Sequence, residues 1–457
     1  MTTKIYKDIV LANLAENTNI AQFVSYSAIS GHQRFSAIRG FEINHNFTLT
    51  EAIYALLKNS GGTVNIRTFL PENLHGNEFI YGLSDVNELI GHIVRLTTVL
   101  GLYVIVSETL DVDDGGVSGV MENGMVEFFP GATVREIEHL KDPVSAFEAE
   151  FALKMLATVY GFTPTIDTYG VDDRIEFSIH PTKVGYHQTN TVIWQWDYSP
   201  VSGKVDIPQN VLWPTGFSKM IGDKAYGLLV AHTLGFPVPK TVVFTRNPKI
   251  GFFTFGEYTG GDTIWMRTCP KVGTPGQFTT TRGWTDPFNL MDMDDPSHTH
   301  LASCLSQFEI PAKYSGSLIS TAEGAFIEGV SGFGDLFMLG DKAPEEMPAH
   351  VFQDVKDLYL AICDKIGEVG MEWVHDGKRV WIVQLHSGSV TSRGRVIVPG
   401  EYKKEFVFDC NMGLPYLREL ISIIGDDAGI AVVGNVGMTS HICDVLRKAN
   451  VPSVMAG

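Results

Sequence analysis

The residues best suited to chemistry fall in two groups. Near the C-terminal end, Gly437-Met438-Thr439-Ser440-His441 leads into Ile442-Cys443-Asp444-Val445-Leu446-Arg447-Lys448. A Thr-Ser pair stands where a helix N-cap is expected, which places His441 in the first helical turn. A helix N-terminus presents unpaired N–H groups and the positive end of the dipole, so it holds anions, phosphate above all. A histidine there is placed to carry a phosphoryl group, although on spacing alone a surface histidine opening a helix is the commoner outcome. Upstream, Gly222-Asp223-Lys224 opens a second helical run. A lysine beside a glycine at a helix head offers phosphate a point charge and free amides. Arg267 closes the strand-like run Ile264-Trp265-Met266-Arg267, and its fork suits phosphate oxygens. Glu372 and Gln384 fall on two neighbouring strand-like runs and would offer oxygens to Mg²⁺, a hard cation that takes one or two protein groups beside phosphate.

These groups sit in a chain of 457 residues, long enough for two to four domains, with 44% hydrophobic and 19% charged residues. The net charge of −18 argues against a nucleic-acid partner. The 5 cysteines are widely spaced without Cys-x-x-Cys, as expected of a reducing cytosol rather than a disulfide framework. Met1 to Asp8 has no apolar stretch, so no signal peptide is expected. The most apolar segment, residues 89–110, is interrupted by His92 and Arg95 and is too polar to span a membrane. The expectation is a cytoplasmic protein with no membrane partner. Helices are expected near residues 50–58, 85–96 and 146–158, and strands at residues 63–67, 103–106, 174–179 and 191–195. The acidic run from Asp111 to Gly116 misses one oxygen ligand of a calcium loop and reads as a turn. The stretch from Asp292 to His300 reads as a solvated loop.

Four motifs recur in order. Arg267 lies 200 residues after Arg67, Ser315 lies 197 after Ser118, Glu372 lies 196 after Glu176, and Gln384 lies 189 after Gln195. This spacing predicts a duplicated α+β module of about 190 residues. The turn-rich run from Tyr198 to Lys204 would separate the copies, and Ser387 to Gly394 reads as a hinge.

Taken together, the motifs resemble the phosphoenolpyruvate synthase and pyruvate phosphate dikinase superfamily. Gly437-Met438-Thr439-Ser440-His441 is similar to its phosphohistidine loop. Gly222-Asp223-Lys224, with Gly235-Phe236-Pro237-Val238-Pro239, is similar to the opening of its ATP-binding domain. Trp265-Met266-Arg267-Thr268 resembles its Val-Arg-Ser-Ser strand, and Gln307-Phe308-Glu309-Ile310 resembles the hinge strand whose backbone faces adenine. Residues 326–335, with Glu328, resemble its Glu…Gly-Leu-Gly-Glu stretch.

The resemblance implies an α+β chain in which an ATP-grasp-like module, duplicated, is followed by a small α/β swivelling phosphohistidine domain. Residues 1–200 would be a degenerate copy and 210–386 the nucleotide-binding copy. Residues 387–394 would be the linker and 395–457 the swivel domain. ATP and Mg²⁺ would be held by Lys224, Arg267, Gln307, Glu309, Ile310, Glu328, Glu372, Gln384 and His386, with Glu372 and Gln384 on the metal. His441 would attack ATP, releasing AMP and phosphate, while Lys224 and Arg267 neutralise charge and Thr439 and Ser440 steady the phosphohistidine.

Two positions depart from the family pattern. His386 stands where an arginine is usual, and Asp223 stands where a glycine is usual. The first copy has no Gly-x-Lys, so it is expected not to hydrolyse ATP. It would be a structural partner, an acceptor-binding domain or half of a shared cleft. With 63 residues from 395 to the last position, no pyruvate-binding barrel is expected, and a small-molecule acceptor is expected, as in rifampin-phosphotransferase-like members. The alternatives are a nucleotide-sensing or assembly protein without catalysis, and an ATP-dependent ligase or condensing enzyme.

Overall fold

The computed structural model describes the chain except residues 1–5, 71–77, 111–115, 123, 131–144, 163–173, 181–183, 189–191, 199–210, 212, 426 and 457. The acidic run at 111–115 and the linker after Tyr198 therefore lie outside the described residues. The chain is mixed α and β, built on several antiparallel sheets, and divides into Met1–Gln209 and Asn210–Gly457. Among the described residues no helix is long and apolar enough to cross a membrane.

The first unit opens with α1 (Tyr6–Asn17), β1 (Phe23–Tyr26), β2 (Gln33–Ala37), α2 (Leu49–Asn59), β3 (Val64–Phe69), β4 (Phe79–Leu83), α3 (Val86–Val94) and β5 (Tyr103–Glu108). The strands form a sheet in the order β2-β1-β5-β3-β4. Thr48 caps α2 through a reciprocal bond with Glu51, and Ala52, Ile53 and Leu56 bury its apolar face. The helix expected to run to Leu96 changes to a π turn at Arg95–Val99, where the Thr97 and Thr98 hydroxyls bond back to Ile93 and Val94 carbonyls. A second sheet follows, made of β6 (Val117–Glu122), β7 (Met125–Pro130), β8 (Ser145–Glu148), β9 (Arg174–Ile179) and β10 (Val192–Tyr198), in the order β10-β9-β6-β7-β8. Here α4 (Ala149–Tyr160) starts later than the sequence suggests, because Ser145–Glu148 pairs with β7.

The second unit begins with α5 (Gly216–Ile221) and α6 (Asp223–Thr233). Its first sheet holds β11 (Thr241–Thr245), β12 (Phe252–Phe255), β13 (Ile264–Pro270), β14 (Thr280–Arg282) and, after α7 (Pro287–Asp294), β15 (Leu301–Phe308). The order is β12-β11-β15-β13-β14, strand for strand that of the first unit. The next sheet holds β16 (Tyr314–Thr321), β17 (Gly324–Ser331), β18 (Val369–His375) and β19 (Val380–Ser387), in the order β17-β16-β18-β19. It lacks only a partner for the edge strand β8. Between β17 and β18 run α8 (Asp335–Leu339) and α9 (Ala349–Ile366).

Local details repeat as well. The Thr109 amide donates to Thr63 O at 3.2 Å, and the Glu309 amide donates to Thr263 O at 2.8 Å. A Cβ on Gly119 would strike the Phe177 ring, and one on Gly316 would strike the Trp373 ring. Each glycine admits a buried aromatic from the neighbouring strand. The register corrects the sequence alignment at one point. Glu372 faces Gln384, but Glu176 faces Trp196, and the pairing skips Gln195 in one sheet and Val383 in the other. The match of Gln195 with Gln384 is thus one residue out, because each edge strand carries a bulge that offset counting does not see.

Residues 396–455 form a layer on a mixed sheet. β20 (Val396–Val398), β21 (Lys404–Asp409), β22 (Ala428–Val433) and β23 (Ser453–Met455) lie in the order β20-β23-β22-β21, and β20 pairs antiparallel with β23. The β21–β22 and β22–β23 pairs are parallel, so each needs a crossover, supplied by α10 (Gly413–Ile423) and α11 (His441–Ala449). Phe408, Leu417, Ile430, Val432, Ile442 and Leu446 fill the core between helices and sheet. Residues 387–394, read from sequence as a loose hinge, are tied by backbone bonds from Gly388 N to Glu368 O and from Val390 N to Ser320 O.

Candidate functional site

The site starts at the head of α6. Gly222 caps the helix with φ 95°, and a Cβ there would lie 2.6 Å from Cys269 Cβ. Glycine thereby lets the helix head approach β13. Behind it, Gly227 packs against the Leu385 carbonyl, which seats α6 on β19. Lys224 lies close enough to Cys269, Arg267, Glu372 and Asp223 for their charges to act on it. Burial pushes its ammonium below the usual lysine value, and the Arg267 charge adds to that against the pull of Glu372 and Asp223. It makes no hydrogen bond or ion pair with a described residue. Arg267, on β13, donates Nη1 to Val383 O at 3.1 Å, while its buried Nε has no partner among the described residues. A cation and a guanidinium N–H left open side by side fit an incoming anion.

Opposite them, β18 alternates buried and half-buried residues. Met371 and Trp373 point into the core, and Glu372 points away from it. Glu372 and Gln384 are direct register partners, as a two-ligand magnesium site requires, and the Glu372 carboxylate has no partner among the described residues. Among the described residues no group of three or more His, Cys, Asp or Glu is arranged to hold a metal. A cation here would lean on phosphate oxygens as well as on Glu372 and Gln384.

The two departures from the family pattern face each other. Asp223 Oδ2 lies 3.6 Å from His386 Nδ1, with the Asp223 side chain 7% and the His386 side chain 43% exposed. Gln384 Nε2 lies 2.6 Å from His386 Nε2. Burial pushes the His386 pKa down, but the Asp223 carboxylate, with Glu372 and Asp444 behind it, outweighs burial and leaves it above the usual histidine value.

The hinge strand is more occupied than its sequence suggests. Gln307 is buried and its amide donates to Thr241 Oγ1 at 3.2 Å. The Glu309 carbonyl accepts from Thr259 Oγ1 at 2.6 Å, and its carboxylate takes Arg282 Nε and Nη2 at 2.7 and 3.0 Å. Neither backbone group of Ile310 is bonded among the described residues.

The histidine loop closes over the other end. His441 opens α11 as expected, and Ser440 is its N-cap with extended backbone. The capping bond is absent: Ser440 Oγ is buried without a partner among the described residues. Thr439 instead gives both its N–H and its hydroxyl to Glu328 Oε2, each at 2.9 Å. Glu328, assigned from sequence to the nucleotide, thus holds the histidine loop, and Gly437 and Met438 pack beside it against Phe337 and the 396–455 core. Asp444 lies one turn along, its Oδ2 3.6 Å from His441 Nδ1 and its Oδ1 2.9 Å from Arg447 Nη1. Burial pushes the Asp444 carboxyl up, but the neighbouring His441 and the Arg447 charge outweigh it and hold it below the usual value. Arg447 Nη2 closes the loop on Met438 O at 2.6 Å.

The loop after β13 joins the two ends. A Cβ on Gly273 would sit 2.8 Å from Asp223 Oδ2, and one on Gly276 would sit 3.5 Å from His441 Cβ. Lys448 donates to the Gly273 carbonyl, and Arg418 Nη2 donates to Pro275 O at 2.6 Å. Sequence reasoning missed Asp444, Arg447 and this glycine loop. The spacing of Asp444 and Arg447, three and six residues after His441, was the available signal, because residues three apart share a helix face.

No protein-family model and no curated protein matches this sequence. Among solved structures the chain is similar to D-alanine-D-alanine ligase from Helicobacter pylori, with 8% identity, a TM-score of 0.26, and coverage of 38% of this chain and 54% of that one. It is similar to D-alanine–D-alanine ligase from Bacillus anthracis complexed with ATP, with 11% identity, a TM-score of 0.24, and coverage of 36% and 55%. A third is the D-cycloserine synthetase DcsG, with 11% identity, a TM-score of 0.25, and coverage of 42% and 61%. The chain spans just over half the length of the first two. Likenesses of this size carry no argument for an activity.

Proposed function

We propose that residues 210–386 are an ATP-grasp nucleotide module, that residues 1–200 are its degenerate duplicate, and that His441 receives a phosphoryl group from ATP for delivery to a small-molecule acceptor. The observation that carries this reading is the loop from Gly273 to Gly276, which approaches Asp223 at one end and His441 at the other. Shared strand order and the shared bulge support the duplication. Trp196 in place of a glutamine across from Glu176 supports loss of metal binding in the first copy.

Nδ1 of His441 is buried, with Asp444 Oδ2 3.6 Å away and no hydrogen-bond partner among the described residues, which leaves Nε2 as the nucleophile in this reading. Nε2 forms the P–N bond with the β-phosphorus, AMP leaves with the electron pair of the broken P–O bond, and water takes the terminal phosphate. Lys224 and Arg267 stabilise the oxygen charge, the main demand of phosphoryl transfer. Magnesium at Glu372 and Gln384 would neutralise further phosphate charge when bound.

The test is incubation with Mg-ATP. The expected result is AMP together with an acid-labile, base-stable phosphate on the protein that is lost in His441→Ala. Nucleotide release only with an amine and a carboxylate present would instead make the chain a ligase, as the two D-alanine–D-alanine ligases above are named. ATP binding without turnover would make it a sensor.

A further inference from the structure

One carboxylate of the second unit is taken up by the histidine loop. Glu328 lies on β17, where strand alternation and pairing with Ser317 aim it at the segment before α11. Its Oε2 accepts the Thr439 backbone N–H and the Thr439 hydroxyl, both at 2.9 Å, and Thr439 is 1% exposed. A Cβ on Gly437 would lie 2.8 Å from the same oxygen and 2.8 Å from the Phe337 ring. The loop therefore has room to reach Glu328 only because position 437 is glycine. A second close approach lies next to it, where a Cβ on Gly340 would strike Ile442 and lie 3.2 Å from Val436. Two glycines from different segments thus clear the seat, and one charged acceptor fills it.

We infer that Glu328 is a positioning residue, the latch that docks the His441 loop on the nucleotide module for phosphorylation. The inference rests on the phosphohistidine reading above. Hydrogen bonds to a charged acceptor are stronger than neutral ones, and both donors here are shielded from water, so the pair favours the docked loop. Thr439 lies two residues before His441, so fixing its N–H fixes the head of α11 and the imidazole with it. No nucleotide contact is needed for this role.

The experiment compares Glu328→Ala, Thr439→Val and Thr439→Ser in the full chain. Three quantities are measured: ATP affinity, the rate of phosphohistidine formation, and amide hydrogen exchange over residues 437–441 without ATP. Glu328→Ala is expected to slow phosphohistidine formation on the order of 100-fold. It is also expected to speed exchange at Thr439 and to leave ATP affinity within about threefold. Thr439→Val, which keeps the N–H but loses the hydroxyl, is expected to fall between, and Thr439→Ser to restore the wild-type rate. The inference is overturned if Glu328→Ala phosphorylates at the wild-type rate, or if ATP affinity drops in step with the rate, which would make Glu328 a nucleotide ligand. Should wild-type protein form no phosphohistidine, the functional reading fails, and exchange at Thr439 still decides the latch: faster exchange in Glu328→Ala upholds it, and unchanged exchange removes it.

Discussion

The Asp223–His386 pair offers a quantitative check on the site. Two motif departures that look independent along the chain meet at 3.6 Å, so their contributions to stability should not add. At that separation two unit charges attract by roughly 1 kcal/mol in bulk water and about 5 kcal/mol at an effective dielectric of 20. The imidazole is 43% exposed, which moves the pair toward the watery limit, while the carboxylate is 7% exposed and held in place. A coupling of about 1–2 kcal/mol follows from weighing the two limits. The singles should be unequal. His386→Asn leaves a buried carboxylate without its cation, whereas Asp223→Asn leaves an imidazole that can shed its proton, so the histidine change should cost more.

The measurement is a double-mutant cycle by urea unfolding of wild type, Asp223→Asn, His386→Asn and the double variant. The sign with pH is fixed by the direction of the shift. His386 titrates higher in the folded chain than the ordinary histidine value of about 6.5, so its contribution is full below that value. It fades as pH rises through the folded-state value. The coupling should therefore be larger at pH 6 than at pH 9. A coupling below about 0.3 kcal/mol at pH 6, or one that grows at pH 9, would refute the reasoning that these two residues compensate each other.

Other sites give direct expectations. Lys224→Met should weaken ATP binding by roughly tenfold to a hundredfold with little change in unfolding midpoint, measured by calorimetric titration, since it removes one open cation and no protein bond. Gly316→Ala should destabilise the chain by about 1–3 kcal/mol in urea, because the new methyl meets the Glu328 carbonyl and the buried Trp373 ring. Asp295 is buried; burial raises its pKa, but bonds from Leu301 N, Ser297 Oγ, His300 N and Thr299 N outweigh that and hold it well below the carboxylate range. Its contribution is present above the ordinary value of about 4 and is lost as pH falls toward the folded-state value, so wild type should lose more stability than Asp295→Asn between pH 5 and pH 2, read by thermal melts.

What could be read from the sequence was whatever short-range chemistry controls. The head of α6, the Arg267 strand, the Glu372–Gln384 pairing and the start of α11 all follow from caps, strand runs and turn residues within a few positions. Long-range partners decided the rest. Gln307 and Glu309 also bond to Thr241, Thr259 and Arg282, up to 66 residues away, contacts that no local pattern announces. Glu328 carries a contact that the sequence does not announce, to Thr439, 111 residues on. The repeat shows the same division. Its motifs were visible as offsets, but the skipped residue in each edge strand moved the true counterpart of Gln384 from Gln195 to Trp196. At that register position the first unit has Trp196 across from Glu176, and the second has Gln384 across from Glu372.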